Sequence, residues 1–449
     1  MNYRQALQAI HDRSDYDRGF ITNPFAGDDA AALGLRRTRA LLDALGAPDG
    51  GLKIVHIAGT KGKGSTCAFL ESVARHAGLS TGLYTTPHLH SFRERIQING
   101  EPISEREFAD ITENVLSKAD DVARNAGYPT AFEIVTAMAV LAFSHHRVDI
   151  AILEVGLGGR LDATNVVDPA VSVITRVSYD HQRILGETLS EIAGEKAGII
   201  KPDVPVVVAP QAHEAEQVIL DVARERGAPV YGGGRDWNVM YHESIANLTG
   251  PWGTIANVRL GLTGEHQAIN AGAALMSAWV AIPEALRNLD TVRGALEATT
   301  WPGRFEVVCD DGPVTVIDGA HNVESIEVLI DTVSECFPNH RCTFIFGTSD
   351  DKDARGMLTA IARCAEKVIV TASRNPRAAN PDDLLLAARE LGLDATKSRS
   401  IQDAIAMARS ERAHDDVLVI TGSLYVVAEG REAVGLGTTP RVEREVFSP

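Results

Sequence analysis

The sequence predicts an α/β protein of two domains, each a mostly parallel sheet with helices on both faces. Three observations carry that prediction. Short, continuously apolar runs alternate with helical patterns, as strands buried on both faces require. The chain has 449 residues, and domains average roughly 100–200, so two or three cores are expected. Finally, Pro302-Gly303 within Trp301-Pro302-Gly303-Arg304-Phe305 ends a helical pattern, after which the alternation restarts.

Taken in order, residues 54–58 read as a strand, and 67–76 as a helix after a glycine-rich turn. A further strand ends at Tyr84, a helical pattern covers 106–125, and another begins near Thr130 and closes at 140–142. Residues 150–155, 171–174 and 205–208 are apolar strands, with helical patterns at 189–197, between the last two, and at 214–226, after them. Between 237 and 262 the pattern is β-like and more polar, which suits a small antiparallel insertion, and helices at 266–280 and 291–298 follow. Past the break, strands are expected at 314–317, 343–346, 367–370 and 417–420. The expected boundaries are 1–300 for a P-loop-type domain and 301–449 for a smaller Rossmann-like domain.

Composition narrows the function. A formal net charge of −17 argues against nonspecific binding to nucleic acid or anionic membrane. Anionic ligands would then need local Lys and Arg, since fields are screened over about 8 Å. The five cysteines, Cys67, Cys309, Cys336, Cys342 and Cys364, have no CxxC or metal-ligand spacing, as in a reduced cytosolic protein. The N-terminus is polar and no run approaches membrane-spanning length, so the expectation is a cytoplasmic protein.

The most informative stretch is Gly59-Thr60-Lys61-Gly62-Lys63-Gly64-Ser65-Thr66, between the first strand and its helix. Glycines let backbone N–H groups approach an anion, and the helix dipole adds favourable potential. Lys63 supplies a point charge for outer phosphates, and the Ser65 hydroxyl can ligate Mg²⁺. The site is therefore expected to bind a nucleotide.

Glu154 ends an apolar strand and precedes Gly156-Leu157-Gly158-Gly159-Arg160-Leu161-Asp162-Ala163-Thr164-Asn165. Ligands in open α/β sheets sit outside the carboxyl ends of strands, where a hard oxygen donor suits Mg²⁺. The alternative is a solvated strand-end carboxylate. Asp180-His181 follows the next strand at the same edge. Thr86-Pro87-His88 leads to Arg93-Glu94-Arg95, whose arginines suit an acidic substrate or an ordinary solvated turn. Phe132 opens a helix and either stacks on a ligand ring or joins the core.

These motifs together resemble the folylpolyglutamate synthase/dihydrofolate synthase family of Mur-type ligases, from about Leu41 to Glu429. The loop is similar to that family's Gly-Thr-x-Gly-Lys-Gly-Ser, with Lys61 where asparagine is typical. Glu154-Val155-Gly156 through Asn165 is the most specific match. The resemblance implies ATP and two Mg²⁺ sites, with Ser65, Thr86, Glu154 and His181 as metal ligands; Thr86 stands where serine is usual. It implies that Lys196 is carbamylated and catalytic with Lys63 and His321; without it, Lys196 reads as a helix-surface cation paired with Glu195 or Glu191. It implies nucleotide contacts from Gly59 to Thr66, with Asn270 at adenine, Arg304 at phosphates and Asp318 at ribose. Acceptor contacts would come from His88, Arg93, Arg95, Phe132, Arg160 and Asp162.

The resulting expectation is an ATP-dependent amide ligase that adds L-glutamate to a folate or to dihydropteroate through an acyl phosphate, acting as a monomer on small molecules. A Mur-type ligase of cell-wall precursors is the alternative within the class. A P-loop NTPase that drives motion or binding is the alternative outside it, and the loop Asp318-Gly319-Ala320-His321-Asn322 disfavours that reading.

Overall fold

The computed structural model describes residues 1–13, 28–309, 314–411 and 416–447. Two compact units form: Met1–His88, Phe92–Gly261 and His266–Thr299 in the first, Leu89–Ser91, Leu262–Glu265 and Thr300–Pro449 in the second. Mixed α/β architecture is observed in both.

The first unit carries an eight-stranded sheet. Its strands are β1 (Ile54–Ala58), β2 (Thr81–Tyr84), β3 (Ile96–Ile98), β4 (Glu101–Pro102), β5 (Ile150–Glu154), β6 (Val171–Ile174), β7 (Val206–Val208) and β8 (Val230–Gly232). They lie in the order β4-β3-β2-β5-β1-β6-β7-β8, parallel except at the β2–β3–β4 edge. Every residue of β1, β5 and β6 is buried, which is why these runs are apolar without alternation. The register pairs Ile57 with Glu154 and Ala58 with Ile174, so the chain leaving β1 emerges between the exits of β5 and β6. That is where an open α/β sheet places its ligand.

The unit's helices are α1 (Tyr3–His11), α2 (Asp28–Ala44), α3 (Lys63–His76), α4 (Glu105–Ala126), α5 (Ala131–His146), α6 (Gln182–Leu185), α7 (Leu189–Ala197), α8 (His213–Glu225), α9 (Glu265–Ala281) and α10 (Leu289–Ala298). Thr130 and Glu133 form a reciprocal capping box on α5, and Thr188 and Glu191 form one on α7. The polar stretch folds as the expected insertion, β9 (Asn238–His242), β10 (Ile245–Gly250) and β11 (Gly253–Val258), all antiparallel.

In the second unit, β12 (Glu306–Val308), β13 (Val314–Ile317), β14 (Cys342–Phe346), β15 (Ala365–Val370), β16 (Ala395–Lys397) and β17 (Val417–Thr421) form one sheet. Its order is β12-β13-β17-β14-β15-β16, and only β12 pairs antiparallel. Phe344, Phe346, Val368 and Val419 fill one face while Ile345, Ile369, Leu418 and Ile420 fill the other. The covering helices are α11 (Val323–Cys336), α12 (Ala354–Ile361), α13 (Pro381–Glu390), α14 (Ile401–Glu411), α15 (Leu424–Ala433) and α16 (Arg441–Phe447). Among the described residues, no helix is long and apolar enough to cross a membrane.

Candidate active site

The site grows from the junction of β1 and α3. The helix starts at Lys63, four residues before the helix-forming run begins, because Gly62 takes a left-handed N-cap (φ 90). The first helical bond runs from Thr66 N to Gly62 O, leaving the amides of Lys63 to Ser65 outside the ladder. A Cβ at Gly59 would meet Thr175 Oγ1 at 1.8 Å, and one at Gly62 would meet Asn270 Oδ1 at 2.2 Å. Both glycines are therefore fixed by close approach. Asn270, on α9, donates to Gln267 Oε1 (2.9 Å) and abuts this loop.

The loop is pinned to the exit of β6. Thr60 N and Lys61 N donate to Arg176 O, and the Thr60 hydroxyl and Ser178 backbone exchange hydrogen bonds at 3.0 and 3.1 Å. Lys61 Nζ lies 3.2 Å from Asp180 Oδ2, so the unusual lysine is tied to the β6 edge rather than simply solvated. Lys63 Nζ donates to Gly59 O (3.2 Å) and lies 4.0 Å from Glu154 Oε1. The other Glu154 oxygen accepts from Thr86 N at 3.0 Å. One carboxylate thus joins the ends of three strands, β1, β2 and β5. Glu154 is buried rather than a solvated strand end.

Magnesium can be tested against these residues. Among the described residues no group of three or more His, Cys, Asp and Glu side chains is placed to hold a metal. Mg²⁺ bound with a nucleotide takes only one or two carboxylates, the rest being phosphate oxygens and water. A buried carboxylate beside the phosphate-loop lysine fits that demand, and Ser65, 4 % exposed in the first turn of α3, offers a hydroxyl. His181 is half exposed, has φ 49, and points its Nε2 3.9 Å from Asp180 Oδ1.

Lys196 overturns the surface reading. It is 3 % exposed on α7, and its supposed surface partners are engaged elsewhere. Glu195 pairs with Arg160 at 2.8 Å, and Glu191 accepts from the amides of Glu187 and Thr188 at the helix start. Burial first, then repulsion from Lys63, brings the Lys196 ammonium down to about 7, with Asp180 opposing. Its amine is therefore available in neutral form near physiological pH.

The residues expected at the acceptor make the following contacts within the protein. Both Asp162 oxygens are occupied inside its own loop, by Gly156 N, Leu157 N, Thr164 N and the Thr164 hydroxyl. Arg93 donates to Ile103 O (2.8 Å) and lies over the Tyr3 ring. Asp162 and Arg93 thus each help to organise their own loops. Arg95 Nε donates to His88 Nδ1 at 3.0 Å and stacks on Phe92, while Arg160 binds Glu195. Phe132 packs against Gly156, where an added Cβ would come within 2.5 Å of its ring, and lies 6.3 Å from the Tyr84 ring. The sequence missed Arg37, which forks onto buried Glu133 at 2.6 and 2.8 Å and so fixes the start of α5.

In the second unit, Asp318 at the end of β13 accepts from Phe305 N and Ala320 N, both 2.8 Å. Arg304 Nη1 lies over Gly319, and His321 Nδ1 donates to Gly319 O at 2.8 Å. Arg304, Asp318 and His321 therefore share one sheet edge.

A strand–loop–helix phosphate cradle with a buried carboxylate at its rim, accompanied by a second α/β unit, defines a Mur-type ATP-dependent ligase. The Mur ligase middle domain family matches residues 57–278, and the Mur ligase, glutamate ligase domain family matches 303–424. Similarity extends to the dihydrofolate synthase/folylpolyglutamate synthase of Bacillus subtilis, 36% identical across 89% of this chain and 94% of the relative. The corresponding protein of Mycobacterium tuberculosis is 35% identical, across 89% and 90%. Among solved structures, M. tuberculosis folylpolyglutamate synthase complexed with ADP and AMPPCP superposes with TM-score 0.85 at 34% identity, covering 90% and 96% of the two chains. E. coli FolC in complex with DHPP and ADP gives 0.84 at 29% identity, covering 97% and 98%. The chain belongs to the folylpolyglutamate synthase/dihydrofolate synthase family.

Proposed function

We propose that the protein joins L-glutamate to the carboxylate of a tetrahydrofolate or dihydropteroate, with ATP as the activating substrate. The observation that carries this is the sharing of Glu154: Lys63 on one oxygen, the amide of the Thr86 loop on the other. A phosphate-binding lysine and a second-substrate loop thereby meet on one anionic group. In this reading the α3 amides and Lys63 hold the outer phosphates, and the acceptor carboxylate attacks the terminal phosphorus as ADP leaves. The glutamate amine then attacks the acyl carbon and phosphate departs. Mg²⁺ held by Ser65, Thr86 and Glu154, with His181 joining Glu154 at a second site, would neutralise charge on the transferring phosphoryl group.

The acceptor wall is formed by Phe132, the Gly156 turn, Arg160, and the Arg95–His88 pair. In the second unit we assign Asp318 to ribose, Arg304 to phosphate and His321 to the reaction centre. Asn270 is assigned to adenine. We further propose that Lys196 takes up CO₂ to become a carbamate. The neutral amine nitrogen attacks CO₂ and releases a proton, replacing a cation by a hard anionic oxygen donor. The protein is proposed to act as a cytoplasmic monomer.

Mass spectrometry of reactions offered tetrahydrofolate, dihydropteroate or a cell-wall nucleotide precursor tests the assignment. A product one glutamyl residue heavier is expected from one or both of the first two. Extension of the cell-wall precursor alone would move the protein to the other ligase class.

A further inference from the structure

His56 lies in the middle of β1 with no exposed surface, a polar residue in a strand that is otherwise apolar. Its Nε2 is 2.8 Å from Thr164 Oγ1. Thr164 gives its hydroxyl proton to Asp162 Oδ1, and its amide donates to the same oxygen at 3.0 Å. The other Asp162 oxygen accepts from Gly156 N (3.0 Å) and Leu157 N (2.9 Å). A hydroxyl has one proton to donate; with that proton on Asp162, the oxygen accepts from His56.

We propose that His56 is a positioning residue: as the Nε2–H tautomer it donates to Thr164 and, through Thr164 and Asp162, fixes the Gly156-Leu157 turn that follows Glu154. This rests on the ligase reading above, in which that turn forms part of the acceptor wall. The surroundings agree with the assignment. Burial, and secondarily Lys201, hold the imidazolium of His56 down to about 3, so the ring is neutral at physiological pH. Its Nδ1 is buried without a hydrogen-bond partner. In the Nε2–H tautomer that orphan is a lone pair, which a core tolerates better than an orphaned N–H. The far side of the loop is tied to α7, with Arg160 N donating to Glu195 O at 2.7 Å and Asn165 Nδ2 to Gly198 O at 3.1 Å. The His56 link is what ties the Thr164–Asp162 pair, and through it the turn, to β1.

The test uses ¹⁵N-histidine-labelled protein, with His56→Gln identifying the resonance by its loss. A protonated Nε2 and a bare Nδ1 are expected; a protonated Nδ1 would overturn the proposal. Hydrogen exchange at the Gly156-Leu157 turn should accelerate in His56→Leu and return toward wild type in His56→Gln, whose amide keeps a donor at the same place. Turnover per acceptor, as kcat/KM, should fall roughly ten- to hundredfold in His56→Leu, as for other groups that orient a reacting shell. Binding of a non-hydrolysable ATP analogue should stay unchanged. Unchanged exchange at the turn, or analogue binding lost in step with turnover, would contradict the role. If His56→Leu does not fold, Thr164→Val, which removes that link together with the hydroxyl bond to Asp162, must also accelerate exchange at the turn and leave analogue binding unchanged. Should the wild type show no glutamate ligation, the ligase reading fails while tautomer and exchange still decide the role of His56.

Discussion

Lys63 and Ser65 are the residues on which phosphate binding turns, and their chemistry is readable without tertiary information. Lys63→Ala and Ser65→Ala should each cut turnover on the order of 10²–10³-fold, as loss of a preorganised electrostatic contact does, with circular dichroism unchanged. Near-normal turnover in either would remove this loop from the mechanism. Lys196 was not readable in the same way. Its burial depends on α7 packing and on Glu195 and Glu191 being engaged elsewhere, which no local pattern announces. Its ammonium, at about 7 rather than 10.5, sets a signed expectation. Below about pH 7 both folded and unfolded lysine are charged and the folded state carries the full desolvation penalty. Between about 7 and 10.5 the unfolded chain still binds the proton, so stability rises with pH, and above 10.5 the penalty is gone. Lys196→Met should therefore raise Tm at about pH 6 far more than at about pH 10, measured by calorimetry in CO₂-free buffer, while abolishing ligation. Equal Tm shifts at both would mean the lysine is not buried as a cation. In the wild type, CO₂ depletion should lower activity and bicarbonate restore it, and a short carboxylate should partly rescue Lys196→Ala.

At the scale of elements, the β1–α3 junction was legible because glycines punctuate it, though its helix start was misplaced. The sequence pattern locates helical residues by propensity, whereas the left-handed Gly62 lets the helix begin at Lys63. Gly62→Ala should weaken ATP binding and cost about 1–2 kcal/mol in stability, since the position combines positive φ with Asn270 at 2.2 Å. Adding Asn270→Ala should relieve the contact but not the backbone strain; full recovery in the double variant would show that strain is unimportant. Helices α1 and α2 and the short strands β3, β4, β8, β12 and β16, all at or next to a sheet edge, escaped the sequence reading. The strands are two or three residues long and half exposed in places, too short for a periodicity to register. The Arg37–Glu133 fork between α2 and α5 escaped it too, because residues 96 apart in sequence leave no local signature. Breaking it with Arg37→Met should destabilise the protein by about 3–5 kcal/mol, as stranding a buried carboxylate does, read from urea unfolding.

For the whole molecule, the long segment of the second unit starts at Thr300, but two short returns left no mark in the sequence. Leu89–Ser91 and Leu262–Glu265 belong to the second unit although they lie far upstream of it. His90 and Ser91 are held there by Arg431 (2.7 Å) and Glu443 (2.8 Å), pairings of such long range that only the fold reveals them. Against the net charge of −17, Lys61 and Lys63 place two cations close enough to depress the Lys196 ammonium. The measurement that bears most directly on the account is ADP release by the purified protein under full factorial omission. ADP should appear at the full rate only when MgATP, L-glutamate and a reduced folate or dihydropteroate acceptor are all present. ADP release at the same rate without glutamate or without acceptor would contradict a ligase and leave a simple nucleotide hydrolase.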